Sequence, residues 1–127
     1  MKNQVERREQ IRFVAWFKNK YLDWHDLIHH SPNGGSRDIR EGAYFKLMGC
    51  CAGRPDIEIN VPRGTYHGLF IEMKLCKDSK TKGRLSKRQK EVMASLIEQG
   101  YRVAIANGCE EAKEITREYL KEDGSSK

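Results

Sequence analysis

The sequence lacks any apolar run long enough to span a bilayer, and residues 1–8 are polar where a secretory signal would be apolar. These absences speak against membrane-spanning and exported classes and predict a cytoplasmic protein. Zinc-type spacing is also missing, because no two cysteines form a C-x-x-C pair and no histidines stand at finger spacing. We expect reduced, mostly buried thiols. The cysteines are Cys50, Cys51, Cys76 and Cys109.

Charge, by contrast, is abundant. Asp, Glu, Lys and Arg make up 33% of the 127 residues, and the formal net charge is +6. A basic balance attracts polyanions, so it indicates nucleic acid or an acidic surface as partner. The length suits one domain and no internal repeat divides it, so we predict a domain over residues 1–121 and a disordered tail over 122–127.

The first predicted element is a helix over residues 4–21, with Phe13 and Phe17 one four-residue step apart on its apolar stripe. Extending the stripe backward reaches Gln10 and Glu6, which are polar groups on a face that should be buried. Either they belong to a hydrated helix start or they point at a functional site, because burying a carboxylate without a partner is costly.

Residues 29–35 are rich in Pro, Asn and Gly and are predicted to form a loop. A second helix should begin near Ser36 or Asp38 as N-cap and end at Gly49. One face of this helix carries Ile39, Ala43 and Leu47.

Two extended runs, residues 56–61 and 69–74, flank a turn-rich segment and predict a β-hairpin. Side chains alternate between the faces of a strand, so Glu72 and Lys74 point the same way, and Asp56 converges with them. Such carboxylates bind a hard divalent cation, and a lysine can position a water or a phosphate oxygen. The pattern indicates metal-assisted phosphodiester hydrolysis; the alternative interpretation is a solvated strand edge beside a turn residue.

After the hairpin, Ser86 and Gln89 predict a capping box that starts a third helix, which Gly100 ends. A buried strand over residues 101–106 and an amphipathic helix over 110–120 follow. The order α-α-β-β-α-β-α predicts an α/β fold, a mixed sheet flanked by helices, whose last strand joins in parallel through a right-handed crossover.

Residues 77–88 form a basic segment next to the predicted site. Such runs are usually solvated loops, yet a phosphate backbone bound at the site would need neutralising charge. The predicted DNA-contacting residues are Lys77, Lys80, Lys82, Arg84, Lys87 and Arg88.

Residues 53–56, 66–74 and 85–90 resemble the VRR-Nuc domain, a branch of the PD-(D/E)XK nuclease superfamily. The similarity runs over about residues 6–120 and includes the loop at 32–35. It implies a restriction-endonuclease-like fold, and a chain of this one domain resembles the stand-alone form of phages and bacteria. The implied location is the cytoplasm of a bacterial or phage-infected cell.

The resemblance also implies roles for the site residues. Asp56 and Glu72 would bind the metal through their carboxylates, and the backbone carbonyl of Met73 would add a ligand. Lys74 would orient the attacking water or stabilise charge on the phosphate. Gln89 would reach toward the site, in competition with a purely capping role. The remaining candidates are Glu6 or Gln10 as the polar group of the first helix, with Glu9 nearby, and His67 as a competing base.

The function implied is that of a Mg²⁺- or Mn²⁺-dependent DNA endonuclease, a homodimeric Holliday (four-way) junction resolvase of repair or recombination. Two-fold pairing would supply the two nicks that a symmetric junction needs. Alternatives are a generic or flap- and end-processing DNA nuclease, a non-catalytic DNA-binding module of the same fold, or an RNA-binding or protein-interaction adaptor. The aromatic candidates for a dimer interface are Trp16, Tyr21, Trp24 and Tyr44.

Overall fold

The computed structural model describes residues 4–31, 39–75 and 85–121. The predicted tail at 122–127, most of the basic segment and the N-cap candidates Ser36 and Asp38 lie outside these ranges. In chain order the elements are α1 (Gln4–Lys20), a 3-10 helix (Leu22–Leu27), β1 (Ile28–His30), α2 (Ile39–Leu47), β2 (Ile57–Ile59), β3 (Leu69–Lys74), α3 (Lys87–Glu98), β4 (Arg102–Asn107) and α4 (Cys109–Lys121).

The described strands form an open mixed sheet in the order β1-β2-β3-β4. β1 pairs antiparallel with β2, β2 pairs antiparallel with β3, and β3 pairs parallel with β4. The α/β fold, the hairpin and the parallel last strand are therefore confirmed. Parallel pairing of β3 and β4 requires a crossover, and α3 provides it.

β1 corrects the prediction that residues 29–35 form a loop. His29 and His30 extend a short strand whose register pairs Ile28 with Ile59 and His30 with Ile57. Ile28 is buried, so tertiary pairing and burial outweigh the turn composition further along the segment. The rest of that segment, residues 32–35, lies outside the described residues.

The core fills the space between one face of the sheet and the helices α1 and α4. Phe13 and Phe17 of α1 are fully buried there, as the helical stripe predicts. The hydroxyl of Tyr119 donates to the backbone oxygen of Val61 at 2.7 Å, which ties α4 to the chain after β2. The other members of the cluster include Ile57, Ile59, Leu69, Ile71, Met73, Ala106 and Ala112.

Burial differs from the sequence prediction for β4 and for the cysteines. Only Ala106 of β4 is buried and Ile105 is 39% exposed, because β4 is an edge of the described sheet. Leu47 of α2 is 82% exposed. Cys109 is buried, but Cys50 is exposed and Cys51 half-buried, which contradicts the expectation of mostly buried thiols; all three are free.

The predicted capping box of α3 is confirmed. The Ser86 side chain accepts from the Gln89 backbone N–H at 3.0 Å, and Gln89 Oε1 accepts from the Ser86 N–H at 2.9 Å. Val92 and Met93 face inward, and Gly100 follows the helix with φ of +98°. None of the described helices combines the length and apolarity needed to cross a membrane.

Candidate active site

Two carboxylates lie side by side where β2 begins and β3 ends. The register pairs Ile57 with Ile71, so continuing it by one residue places Asp56 opposite Glu72. Directly opposite residues in an antiparallel pair project to the same face. Asp56 is 1% exposed and Glu72 is 2% exposed. Two acids are therefore buried together on the face opposite the main core.

Asp56 is held through both its side chain and its backbone. Its Oδ2 accepts from the backbone N–H of Met73 at 2.8 Å. Because β2 begins only at Ile57, this carboxylate serves as the acceptor for a β3 amide beyond the last ladder pair. The Asp56 backbone oxygen accepts from the Ser31 N–H at 3.0 Å and from His30 Nδ1 at 2.9 Å.

Glu72 is held by two side chains that approach from different elements. Its Oε2 accepts from Gln89 Nε2 at 3.0 Å and lies 3.7 Å from Lys74 Nζ. Lys74 is two residues from Glu72 on β3 and so projects to the same face, and Gln89 reaches that face from α3. A buried carboxylate needs such partners, because moving it out of water loses roughly several kcal/mol of hydration free energy. Lys74 is 23% exposed, so its ammonium reaches the solvent edge of the site.

Gln89 combines the two roles that the sequence left in competition. Its Oε1 closes the capping box and its Nε2 donates to Glu72. One amide thus connects the first turn of α3 to the acid on β3.

The structure separates the three polar candidates of α1. Glu6 Oε2 accepts from the Leu75 N–H at 3.1 Å, immediately after Lys74. The Gln10 amide lies 3.0 Å from His30 Nδ1. Glu9 instead points to the start of α4.

Glu9 Oε1 accepts from the Cys109 N–H at 2.7 Å, and this bond lowers the pKa of the Glu9 carboxyl. Burial opposes that shift, and the Arg12 guanidinium at 2.9 Å reinforces it. The four-residue step that links Phe17 to Phe13 leads back to Glu9, so the sequence contained a signal for its inward direction.

His67 lies at the other end of β3. Its N–H donates to the Gly100 oxygen at 2.9 Å and its ring packs edge-on against Tyr101 at 5.6 Å. Five positions separate it from Glu72, about 17 Å along an extended chain. The structure therefore does not bring His67 to the acids.

Two of the predicted DNA-contacting residues can be placed. Lys87 and Arg88 are exposed on the first turn of α3, the turn that carries Gln89. Arg88 lies 3.5 Å from Glu91. Lys77, Lys80, Lys82 and Arg84 lie outside the described residues.

The donor set at the two acids fits a small hard cation. Carboxylate oxygens are the ligands such cations take, and Mg²⁺ keeps several waters when few protein ligands are present. Asp56 and Glu72 are the residues that would hold it, with Met73 between Glu72 and Lys74. Over residues 4–31, 39–75 and 85–121, no three His, Cys, Asp or Glu side chains cluster as a metal site by themselves.

An open mixed sheet with paired acids and a lysine at its hairpin defines an α/β domain of the nuclease type. A family model described as the VRR-NUC domain matches residues 1–110, and the chain belongs to this family. Placement in the PD-(D/E)XK superfamily is consistent with that membership. The family implies a nuclease acting on DNA with divalent metal in general.

Two solved structures are similar to the chain. One, described as a VRR_NUC domain protein, is similar at a TM-score of 0.77 and 34% identity, over 100% of this chain and 99% of that chain. Another, described as a VRR_NUC domain, has a TM-score of 0.54 and 18% identity over 92% of this chain and 99% of that one, and it shows the fold alone. No curated protein matches the chain.

Proposed function

We propose that the protein is a Mg²⁺- or Mn²⁺-dependent DNA endonuclease whose site is formed by Asp56, Glu72 and Lys74. The observation that carries this proposal is the burial of both acids on one sheet face, with Lys74 Nζ 3.7 Å from Glu72. A decayed, purely DNA-binding site would have no need to keep two carboxylates out of water, since their burial costs stability.

Each side chain has a distinct task in this proposal. Asp56 and Glu72 would hold a divalent ion, which would supply Lewis acidity toward the phosphate and the attacking water. Lys74 offers three N–H donors at the solvent edge, where it orients the water or a phosphate oxygen. Gln89 keeps Glu72 oriented through its Nε2 donor, and Glu6 secures the backbone after Lys74 through the Leu75 N–H.

The preferred substrate is proposed to be branched DNA, cut by a homodimer on opposed strands of a four-way junction. Two copies related by a two-fold axis match the symmetry of such a junction. Of the aromatic interface candidates, Trp16, Tyr21 and Trp24 pack against the core. Tyr44 is 67% exposed and lies near Leu47 and Met48, which are also exposed, so α2 offers an apolar surface for the second copy.

Lys87 and Arg88 are proposed to contact phosphates rather than bases, together with the basic residues at 77–84. Both are exposed on the turn of α3 that also carries Gln89, the residue that donates to Glu72. Replacing both with Gln should flatten the salt dependence of DNA binding by about one unit of slope per lost contact.

The decisive experiment incubates labelled four-way junction, flap, nicked duplex and single strand with the protein in Mg²⁺, Mn²⁺ or EDTA. We expect cleavage with either metal, none in EDTA, and preference for the junction. Light scattering gives the mass in the same buffer. Cleavage in EDTA would contradict metal dependence, whereas a monomer that cuts all substrates alike would leave a generic nuclease.

A further inference from the structure

A histidine contacts the backbone of Asp56 from the face of the sheet opposite the Asp56 carboxylate. His30 is the last residue of β1 and pairs with Ile57, the neighbour of Asp56. Its Nδ1 lies 2.9 Å from the Asp56 backbone oxygen, which also accepts from the Ser31 N–H at 3.0 Å. One carbonyl therefore receives two donors from the end of β1.

The chemistry of this contact defines the state of the His30 ring. A backbone oxygen can only accept, so Nδ1 must carry a proton and donate it. Gln10 Nε2 lies 3.0 Å from the same Nδ1. The oxygen and nitrogen of an amide are assigned from their hydrogen bonds, and a protonated Nδ1 cannot accept from Nε2. We therefore assign Oε1 to this contact, where it shares the proton. Gln10 thus orients the ring from α1.

We propose that His30, oriented by Gln10, is a positioning residue that sets the divalent-metal affinity of the site by fixing the Asp56 backbone. This inference rests on the proposed function, because it takes Asp56 as a metal ligand. His30 pairs with Ile57, so its ring projects to the α1 side, while the Asp56 carboxylate projects with Glu72. His30 therefore acts through the backbone and does not contact the ion.

Fixing Asp56 in this way matters because a ligand must be held within about 0.5 Å of its productive position. Asp56 lies just before β2, at the end of the ladder, where the Ser31 N–H continues the β1–β2 pairing to its carbonyl. Outer partners of metal ligands typically change metal affinity by about 10- to 100-fold when removed. The His30 and Ser31 donors both hold its carbonyl.

The test measures Mn²⁺ binding to the DNA-free protein by calorimetry, with melting temperature recorded for every variant. His30→Ala should weaken Mn²⁺ binding by about tenfold. His30→Asn keeps a nitrogen donor at the δ position and should retain most of the affinity. His30→Gln carries its donor one atom further out and should resemble His30→Ala. His29→Ala is the matched control, because His29 is exposed on the same strand and makes no contact with Asp56 among the described residues.

The variants and the wild type answer different questions. Wild-type protein that neither binds Mn²⁺ nor cuts DNA would overturn the proposed function, and the inference with it. Wild-type binding that is unchanged in His30→Ala, or equal for His30→Asn and His30→Gln, would overturn the inference alone. The Asn and Gln pair decides the matter if His30→Ala does not fold. Gln10→Ala should have a smaller effect that is not additive with His30→Ala, since both act on one ring.

Discussion

Ile71 and Met73 lie on one face of β3, and Glu72 and Lys74 lie on the other. Ile71, Met73 and Glu72 are 0%, 1% and 2% exposed, so burial does not distinguish the two faces. Their partners do. Ile71 and Met73 pack among apolar groups of α1 and α4, whereas Glu72 meets the amide of Gln89 and the ammonium of Lys74. A buried acid with polar partners points to function, because an apolar residue there would fold at lower cost.

The largest expected effect comes from the polar face. Asp56→Asn and Glu72→Gln keep the shape of the side chain but remove its charge. Removing an outer partner of a metal ligand lowers activity by up to about 100-fold, and we expect the loss of a ligand itself to lower cleavage at least that much. The melting temperature should stay near or above that of the wild type. Glu98→Gln, on the exposed end of α3, is the control. Full cleavage by either site variant would contradict the assignment of function to the polar face of β3.

The apolar face should give the reverse result. Ile71→Ala empties a fully buried position and should lower the free energy of unfolding by about 2–5 kcal/mol. Cleavage at low temperature, where the variant is still folded, should stay close to wild type. Urea titration and cleavage rates measured at one temperature check both. An activity loss larger than the unfolded fraction would show that the two faces are coupled.

Gly53 lies in the loop before β2, close to Arg88 in the first turn of α3. Its φ is +88°, and a Cβ there would lie 2.8 Å from Arg88 Cγ and 3.1 Å from the Arg88 oxygen. Gly53→Ala should therefore push away the first turn of α3, cost about 1–3 kcal/mol and lower cleavage through Gln89. Gly64→Ala is the matched control, because φ is +58° but no atom lies within 4 Å. Equal cleavage by both variants would show that the close approach of Gly53 does not position α3 for cleavage.

The smallest effect is expected at Glu9. Its pKa is lowered in the folded state, so it contributes stability above the unfolded pKa, and that contribution is lost as pH falls through the folded pKa. A carboxylate at the start of a helix contributes about 0.3–1 kcal/mol. Glu9→Gln should lower stability by that amount at pH 7 and should leave it unchanged at an acid pH below the folded-state pKa of Glu9. Denaturant titrations at both pH values test the sign; a difference that persists in acid would contradict it.

Much of the architecture was predictable because its signals are local. Alternation placed Glu72 and Lys74 together, Ser86 and Gln89 formed the expected box, and the hairpin and parallel last strand follow from the order of elements. These patterns depend on residues within a few positions of each other. The roles of these side chains in cleavage stay predictions.

Other features could not be read from neighbouring residues. β1 became a strand only by pairing with β2, and β4 stayed partly exposed because nothing among the described strands covers its outer edge. His30 contacts the Asp56 backbone oxygen, 26 positions away in the sequence, and no local sequence pattern predicts this contact.

The sequence by itself determined which side chains share a face of β3, where α3 begins, and that two acids and a lysine converge. Only the tertiary structure decided how the polar residues of α1 divide, with Glu6 at Leu75, Glu9 at Cys109 and Gln10 at His30. Helical periodicity gives a residue its side of the helix, but partners up to 100 positions away are chosen by how helices and sheet pack.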